Sequence, residues 1–167
     1  MSMDCEATRV LARVKELIQC EGPSGFALPK LYHTEQPIQV LGPSQELHSW
    51  FVPVTVDRLL VGFFELQTDL TLIRYSSFQR HKDSLQGCPA AELWINPESI
   101  RQQVVEEIRP SEIIIELFLS YDKVPSRLAW AVVLEALDGT LRTIYVAGDM
   151  VWQATKSNEA DNTFGGR

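Results

Sequence analysis

The sequence predicts an α+β fold made of two helix-plus-antiparallel-meander units, with the helices packed on one face of the sheet. Three observations lead there. Apolar residues at helical period precede runs of short strands, and they do so twice. The strands are separated by turns of two or three residues, as in meanders, where parallel crossovers would need a dozen or more. The two halves also resemble each other. Trp50 opens Trp50-Phe51-Val52-Pro53-Val54, followed by Asp57, Phe63-Phe64 and Asp69. Trp130 opens Trp130-Ala131-Val132-Val133-Leu134, followed by Asp138, Ile144-Tyr145-Val146 and Asp149. This similarity pairs Trp50 with Trp130, Asp57 with Asp138, and Asp69 with Asp149. On this basis residues 1–78 form the first unit, 79–95 a connector, 96–153 the second unit and 154–167 a disordered tail.

The first element is a helix. Val10, Leu11, Val14, Leu17 and Ile18 line one side of it, Asp4 is placed to cap it, and Gly22-Pro23 to stop it. Residues 21–47 are irregular, with Pro23, Pro29, Pro37 and Pro43, and hold a short strand at 38–41. Strands are expected at 50–56, 59–67 and 70–76, turning at Asp57-Arg58 and Thr68-Asp69. Pro53 has no N–H for a ladder and marks the first of these as an edge or a bulge. In the second strand Leu60, Gly62, Phe64 and Leu66 share a face.

After the connector, a second helix has Asn96 as N-cap, Pro97 at the first helical position and Glu98 in the first turn. Ile100, Val104, Val105 and Ile108 are its expected buried stripe, and Pro110 its end. Strands follow at 112–121, 127–136 and 140–147. The latter two are joined by Asp138-Gly139, and Gly148-Asp149 turns the chain into Val151-Trp152. Leu128, Trp130, Val132 and Leu134 share one face of their strand, and four large apolar residues in a row belong against a helix. Leu141, Thr143 and Tyr145 share a face of the next.

At 167 residues and 18.9 kDa the chain suits one domain or two small ones sharing a core. A net charge of −7 repels phosphate backbones, and the only dense basic cluster, Arg80-His81-Lys82, ends at Asp83, so no nucleic-acid partner is expected. Cys5, Cys20 and Cys88 form an odd set without a CxxC, which reads as reduced thiols. Asp4 and Glu6 stand where a signal peptide needs basic residues, and no apolar run is long enough for a membrane span. A cytoplasmic protein without membrane attachment is expected.

Chemistry-bearing patterns are sparse. His33, His48 and His81 are far apart and lack HxxxH spacing, so no metal is expected. Cys88 in Gly87-Cys88-Pro89 has His81 seven residues back, but nothing nearby lowers its pKa. Gly22-Pro23-Ser24-Gly25 follows a helix, whereas a phosphate cradle must follow a strand. Asp69, Asp138 and Asp149 read as turn residues that cap their own backbone, and Glu65 and Glu135 are assigned to the solvated face of the sheet. No catalytic set and no cofactor follow. The aromatic residues Trp50, Phe64, Trp94, Trp130, Tyr145 and Trp152 are the candidates for a binding pocket or interface.

The capped helix at 96, Leu128-Ala129-Trp130-Ala131-Val132, Asp138-Gly139-Thr140 and Tyr145-Val146-Ala147-Gly148-Asp149-Met150-Val151-Trp152 together resemble the PepSY and cystatin-like group of folds. The resemblance is best over residues 96–153, with a diverged tandem copy in 4–78. It implies a helix packed across an antiparallel meander, and a protein that binds, inhibits or restrains a partner. Cystatin-type inhibitors insert a glutamine-valine-glycine loop into their target, and Gln39-Val40-Leu41-Gly42, ahead of the first long strand, is similar to it but one residue short. The expected function is a non-catalytic protein-interaction or inhibitor-like module with a protein partner. The alternative is a small-molecule-binding protein or small enzyme with an apolar pocket between sheet and helices, as in cystatin-like folds related to nuclear transport factor 2. Edge-strand pairing offers a route to a homodimer, with Pro53 guarding one edge.

Overall fold

The computed structural model describes residues 3–154, and the tail expected at 154–167 lies, but for Ala154, outside them. Helix α1 runs Met3–Gly25, and its backbone leaves helical geometry at Gly22 (φ 70°), where the Gly-Pro stop was expected. Strands β1 (His33–Thr34), β2 (Ile38–Leu41), β3 (Leu47–Val56), β4 (Leu59–Gln67) and β5 (Leu72–Ser77) follow. The connector carries a short helix, α2 (Glu92–Ile95). Helix α3 (Pro97–Val104) starts as expected, with Asn96 Oδ1 accepting the Glu98 N–H at 3.0 Å. It then tightens into a 3-10 turn at Val105–Glu107. That tightening rotates Val105 out of the expected stripe into solvent, while Ile100 and Val104 stay buried. Strands β6 (Glu112–Tyr121), β7 (Leu128–Ala136), β8 (Leu141–Ala147) and β9 (Met150–Gln153) complete the chain.

The strands form one nine-stranded sheet in the order β5-β4-β3-β2-β6-β7-β8-β9, with β1 paired to β3 beside β2. All pairings are antiparallel except β2 with β6, where Val40 stands opposite Leu119. The α+β class therefore holds, but the expected placement of the helices does not. Val10, Val14 and Ile18 of α1 pack with Trp50, Val52, Val54, Phe64 and Leu66. Ile100 and Val104 of α3 pack with Phe51, Phe63, Trp130, Val132, Leu134 and Ile144. Residues 50, 52 and 54 alternate with 51 along β3, so the two clusters lie on opposite faces of the sheet. The helices are on opposite faces as well, and Trp50 and Trp130 point opposite ways, each toward the helix of its own half.

β3 is an interior strand, which overturns the edge reading of Pro53. Its C=O accepts the Glu35 N–H at 2.9 Å, in the gap between β1, which pairs with Val54 and Thr55, and β2, which pairs with Phe51. A residue's N–H and C=O leave a strand on the same side, so the missing N–H faces that gap, where no ladder bond is lost. The strands at the ends of the sheet are β5 and β9. A register shift between Val54 and Thr55 brings Val61 into the α1-side cluster in place of the expected Leu60.

The turns pair differently from the sequence similarity. Asp57 and Arg58 both have positive φ (47° and 66°), the two-residue primed hairpin. Asp138 belongs to a three-residue turn in which Gly139 has φ 80° and Asp138 Oδ1 accepts the Thr140 N–H at 2.9 Å. The turn at Asp69 is the same as that one: Leu70 has φ 69° and Asp69 Oδ1 accepts the Thr71 N–H at 2.9 Å. The Thr140 hydroxyl and then its N–H hold the Asp138 carboxyl below its ordinary range, and the Thr71 N–H and then its hydroxyl do the same for Asp69. Asp57 and Asp138 thus occupy unlike turns.

Candidate functional site

The two strands at the ends of the sheet, β5 and β9, both line one groove of about 640 Å³. From the first half come Phe63, Arg74, Ser76 and Phe78; Trp94 of α2 joins them; Arg127, Leu128 and Trp152 come from the second half. Among the described residues no carboxylate lines the groove, and two arginines do.

Each guanidinium is held by a buried acid. Glu65, only 2% exposed, accepts from Ser49 Oγ at 2.8 Å and from Arg74 Nε at 2.8 Å. The solvated position expected for Glu65 is thus wrong. The face of β4 that carries it also carries Phe63 and is covered by the α3-side cluster, so the carboxylate is retained only with partners on both oxygens. Arg74 lies 5.3 Å over the Phe63 ring, and its Nη2 reaches the Ser126 carbonyl at 3.4 Å. On the other side the buried Asp122 accepts from Trp152 Nε1 at 3.0 Å, and Arg127 Nη1 stands 3.6 Å from the same oxygen. Arg127 is 5.5 Å over the Trp152 ring.

The six aromatic candidates divide among three places. Trp50 and Phe64 are buried in the α1-side cluster, away from the groove. Trp130 is core on the α3 side and donates its indole N–H to the Trp94 carbonyl at 2.7 Å, which ties α2 to β7. Trp94 faces Phe78 at 5.7 Å and lines the groove. Its indole also rests on Gly148, where an added Cβ would lie 3.2 Å from Trp94 Nε1. Trp152 lines the groove from β9 and packs on Tyr145 at 5.8 Å. Burial, with the charge of Asp122 adding to it, raises the Tyr145 phenol above its ordinary pKa.

Arg74, Arg127, Glu65 and Asp122 were not among the candidates. Glu65 and Arg74 did leave a trace. A charge inside Val61-Gly62-Phe63-Phe64-Glu65-Leu66 is out of place in a buried strand, and the hairpin register puts Arg74 directly across from it. Arg127 and Asp122 sit in a loop whose fold no spacing rule foretells.

Elsewhere, His33 lies in a separate cavity with Glu35 and Thr55, whose hydroxyl donates to Glu35 at 2.6 Å. His48 packs on Tyr121 at 5.0 Å. Burial raises the Cys88 thiol, which disfavours the thiolate. Among the described residues no three His, Cys, Asp or Glu gather in a way that could hold a metal. Gln39-Val40-Leu41 is an internal strand with Val40 fully buried between β3 and β6, so it is not an inserting loop. No helix of the described residues is long and apolar enough to cross a membrane. Comparison of the chain with protein-family models, curated proteins and solved structures finds no match.

Proposed function

We propose that the protein is a non-catalytic binding module and that the groove between β5 and β9 is where it holds a small ligand. The observation that carries this reading is the groove's composition: four aromatic side chains and two arginines around about 640 Å³, within the range of ligand sites. The hydroxyls of Ser76 and Ser77 are the other polar side chains supplied by β5. Of the two buried acids beside the groove, Glu65 has both oxygens engaged and Asp122 is paired with Trp152 and Arg127, which favours binding over proton transfer. The resemblance to the PepSY and cystatin-like group is kept as part of this proposal, supported by α3 lying on the β6–β9 meander. The tandem arrangement is kept as well. It is supported by the matching strand orders β2-β3-β4-β5 and β6-β7-β8-β9, which a rotation about the parallel β2–β6 pair would relate. A thermal-shift screen of small organic molecules tests the function. Hits should be lost in Ser76→Trp, which fills the groove. Hits that persist in that variant would place binding elsewhere.

A second reading, the protein-interaction or inhibitor-like module, draws on another surface. On the outer face of β6–β8 the row Ile113, Glu135, Leu141 is uncovered, with Ile113 64% and Leu141 58% exposed. The partner proposed for this face is a second copy of the chain. Sedimentation over a concentration series should show a dimer that Ile113→Lys with Leu141→Lys abolishes. A monomer throughout would reject it.

A further inference from the structure

We infer that the ligand of the groove is an organic anion, a carboxylate or like group on a flat apolar body, with Arg74 and Arg127 as its clamp and Trp94 and Trp152 as its walls. This inference rests on the groove being the binding site. Charge separation argues for it first. The chain as a whole carries −7, yet among the described residues the groove's lining has two cations and no anion, and the acids that pair with them, Glu65 and Asp122, are buried outside that lining, so an anionic solute meets donors here in place of carboxylates.

The posture of each arginine argues for it next. Glu65 binds Arg74 through Nε alone, and Nη2 makes only the long 3.4 Å contact with Ser126. The outer edge of the fork, Nη1 with Nη2, therefore retains donors for a carboxylate in the bidentate manner that guanidinium favours. Arg127 sits 3.6 Å from Asp122, beyond hydrogen-bonding distance, and an incoming carboxylate can take the bond that Asp122 does not. Asp122 opposes an anion, but it is buried outside the groove's lining and its carboxylate accepts from Trp152 Nε1.

Shape supplies the third argument. Phe78 and Trp94 meet at 5.7 Å and Trp152 lines the same groove from β9, so the groove offers aromatic surface to a planar body.

Three naphthalene probes of one shape separate the terms: 1-naphthoate, 1-naphthalenemethanol and 1-naphthylmethylamine, titrated calorimetrically into the full chain. Naphthoate should bind at least about tenfold tighter than the alcohol, as two charge-assisted contacts allow, and the amine should not bind. Arg127→Gln should weaken naphthoate by about tenfold and leave the alcohol unchanged, while Arg127→Lys recovers part of the loss. Added salt should weaken naphthoate alone. Because the Arg127 side chain is 58% exposed and Asp122 keeps its bond from Trp152, these variants keep the fold, and a melt of each verifies it. If the alcohol or the amine binds as tightly as naphthoate, the anion inference fails and the groove reading stands. If none of the three binds, or if naphthoate binding survives Ser76→Trp, both fail.

Discussion

The two halves of the sheet are covered differently. β3 and β4 are buried along nearly their whole length, because α1 closes one of their faces and the α3-side cluster closes the other. β6 and β8 are buried on one face and open on the other. The same chain thus contains a strand pair that must be apolar on both sides and a set that must alternate. The sequence records the difference. Trp50-Phe51-Val52-Pro53-Val54 and Phe63-Phe64 run without alternation, whereas Arg142, Thr143 and Tyr145 break up β8. Reading both halves as one-sided meanders is what placed the helices on one face and Glu65 in water.

The strongest test of this contrast is truncation on each side of it. Phe64→Ala, in the α1-side core, and Trp130→Ala, in the α3-side core, should each cost about 3–5 kcal/mol in denaturant melts. Trp130→Ala also leaves the Trp94 carbonyl without its donor. Ile113→Ser on the open face should stay within about 0.5 kcal/mol. A large cost at Ile113 would mean that something covers that face.

The halves also differ in their buried ion pairs. Glu65–Arg74 lies on the α3-side face of the first half, with the carboxylate buried, so Arg74→Ala, which strands that carboxylate, should cost about 3 kcal/mol, while Glu65→Leu with Arg74→Met should cost far less. In the second half Arg142 donates Nε and Nη2 to Glu112 at 2.7 Å each. Those bonds hold the Glu112 carboxyl down to about 2 from an ordinary 4.5. A depressed acid stabilises the fold above its unfolded value and loses that contribution as pH falls through its folded one. The stability gap between wild type and Glu112→Gln should therefore be full above pH 4.5 and close as pH falls toward about 2, which melts at stepped pH would show. A gap that widens with acid would overturn the assignment.

The smallest effects lie in the turns. Gly139, at φ 80° with nothing within 4 Å of an added Cβ, isolates backbone strain, and Gly139→Ala should cost about 1 kcal/mol. Arg58 occupies a positive φ where the primed turn prefers glycine, and Arg58→Gly should raise stability by up to about 1 kcal/mol. If Arg58→Gly destabilises, the Ala91 N–H bond to its carbonyl depends on the side chain.

Local chemistry was legible in detail. Residues 38–41 and 59–67 were placed as strands with the bounds found for β2 and β4, and Asn96-Pro97-Glu98 starts a helix where it should. Caps, turns and periodicity depend on neighbours a few residues away, and those are written in order along the chain. The face on which each helix lands was not legible, because a helix stripe and a strand face say that they are buried without saying against what. The groove was partly legible: Trp94 and Trp152 were candidates, while Arg74 and Arg127 were not, since a guanidinium becomes part of a site only when another segment meets it.

By itself, then, the sequence determined the α+β class, the strands at 38–41 and 59–67, the helix start at Asn96-Pro97, and an interior that is aromatic and aliphatic. Only the tertiary structure decided that β2 and β6 join the halves in parallel, that α1 and α3 close opposite faces, and that β5 and β9 share a groove lined by cations. The reason is range. The first set of features is fixed by hydrogen bonds and side-chain spacing within about ten residues, whereas the second arises from contacts such as Val40 with Leu119 and Arg74 with Ser126, between residues far apart in the chain.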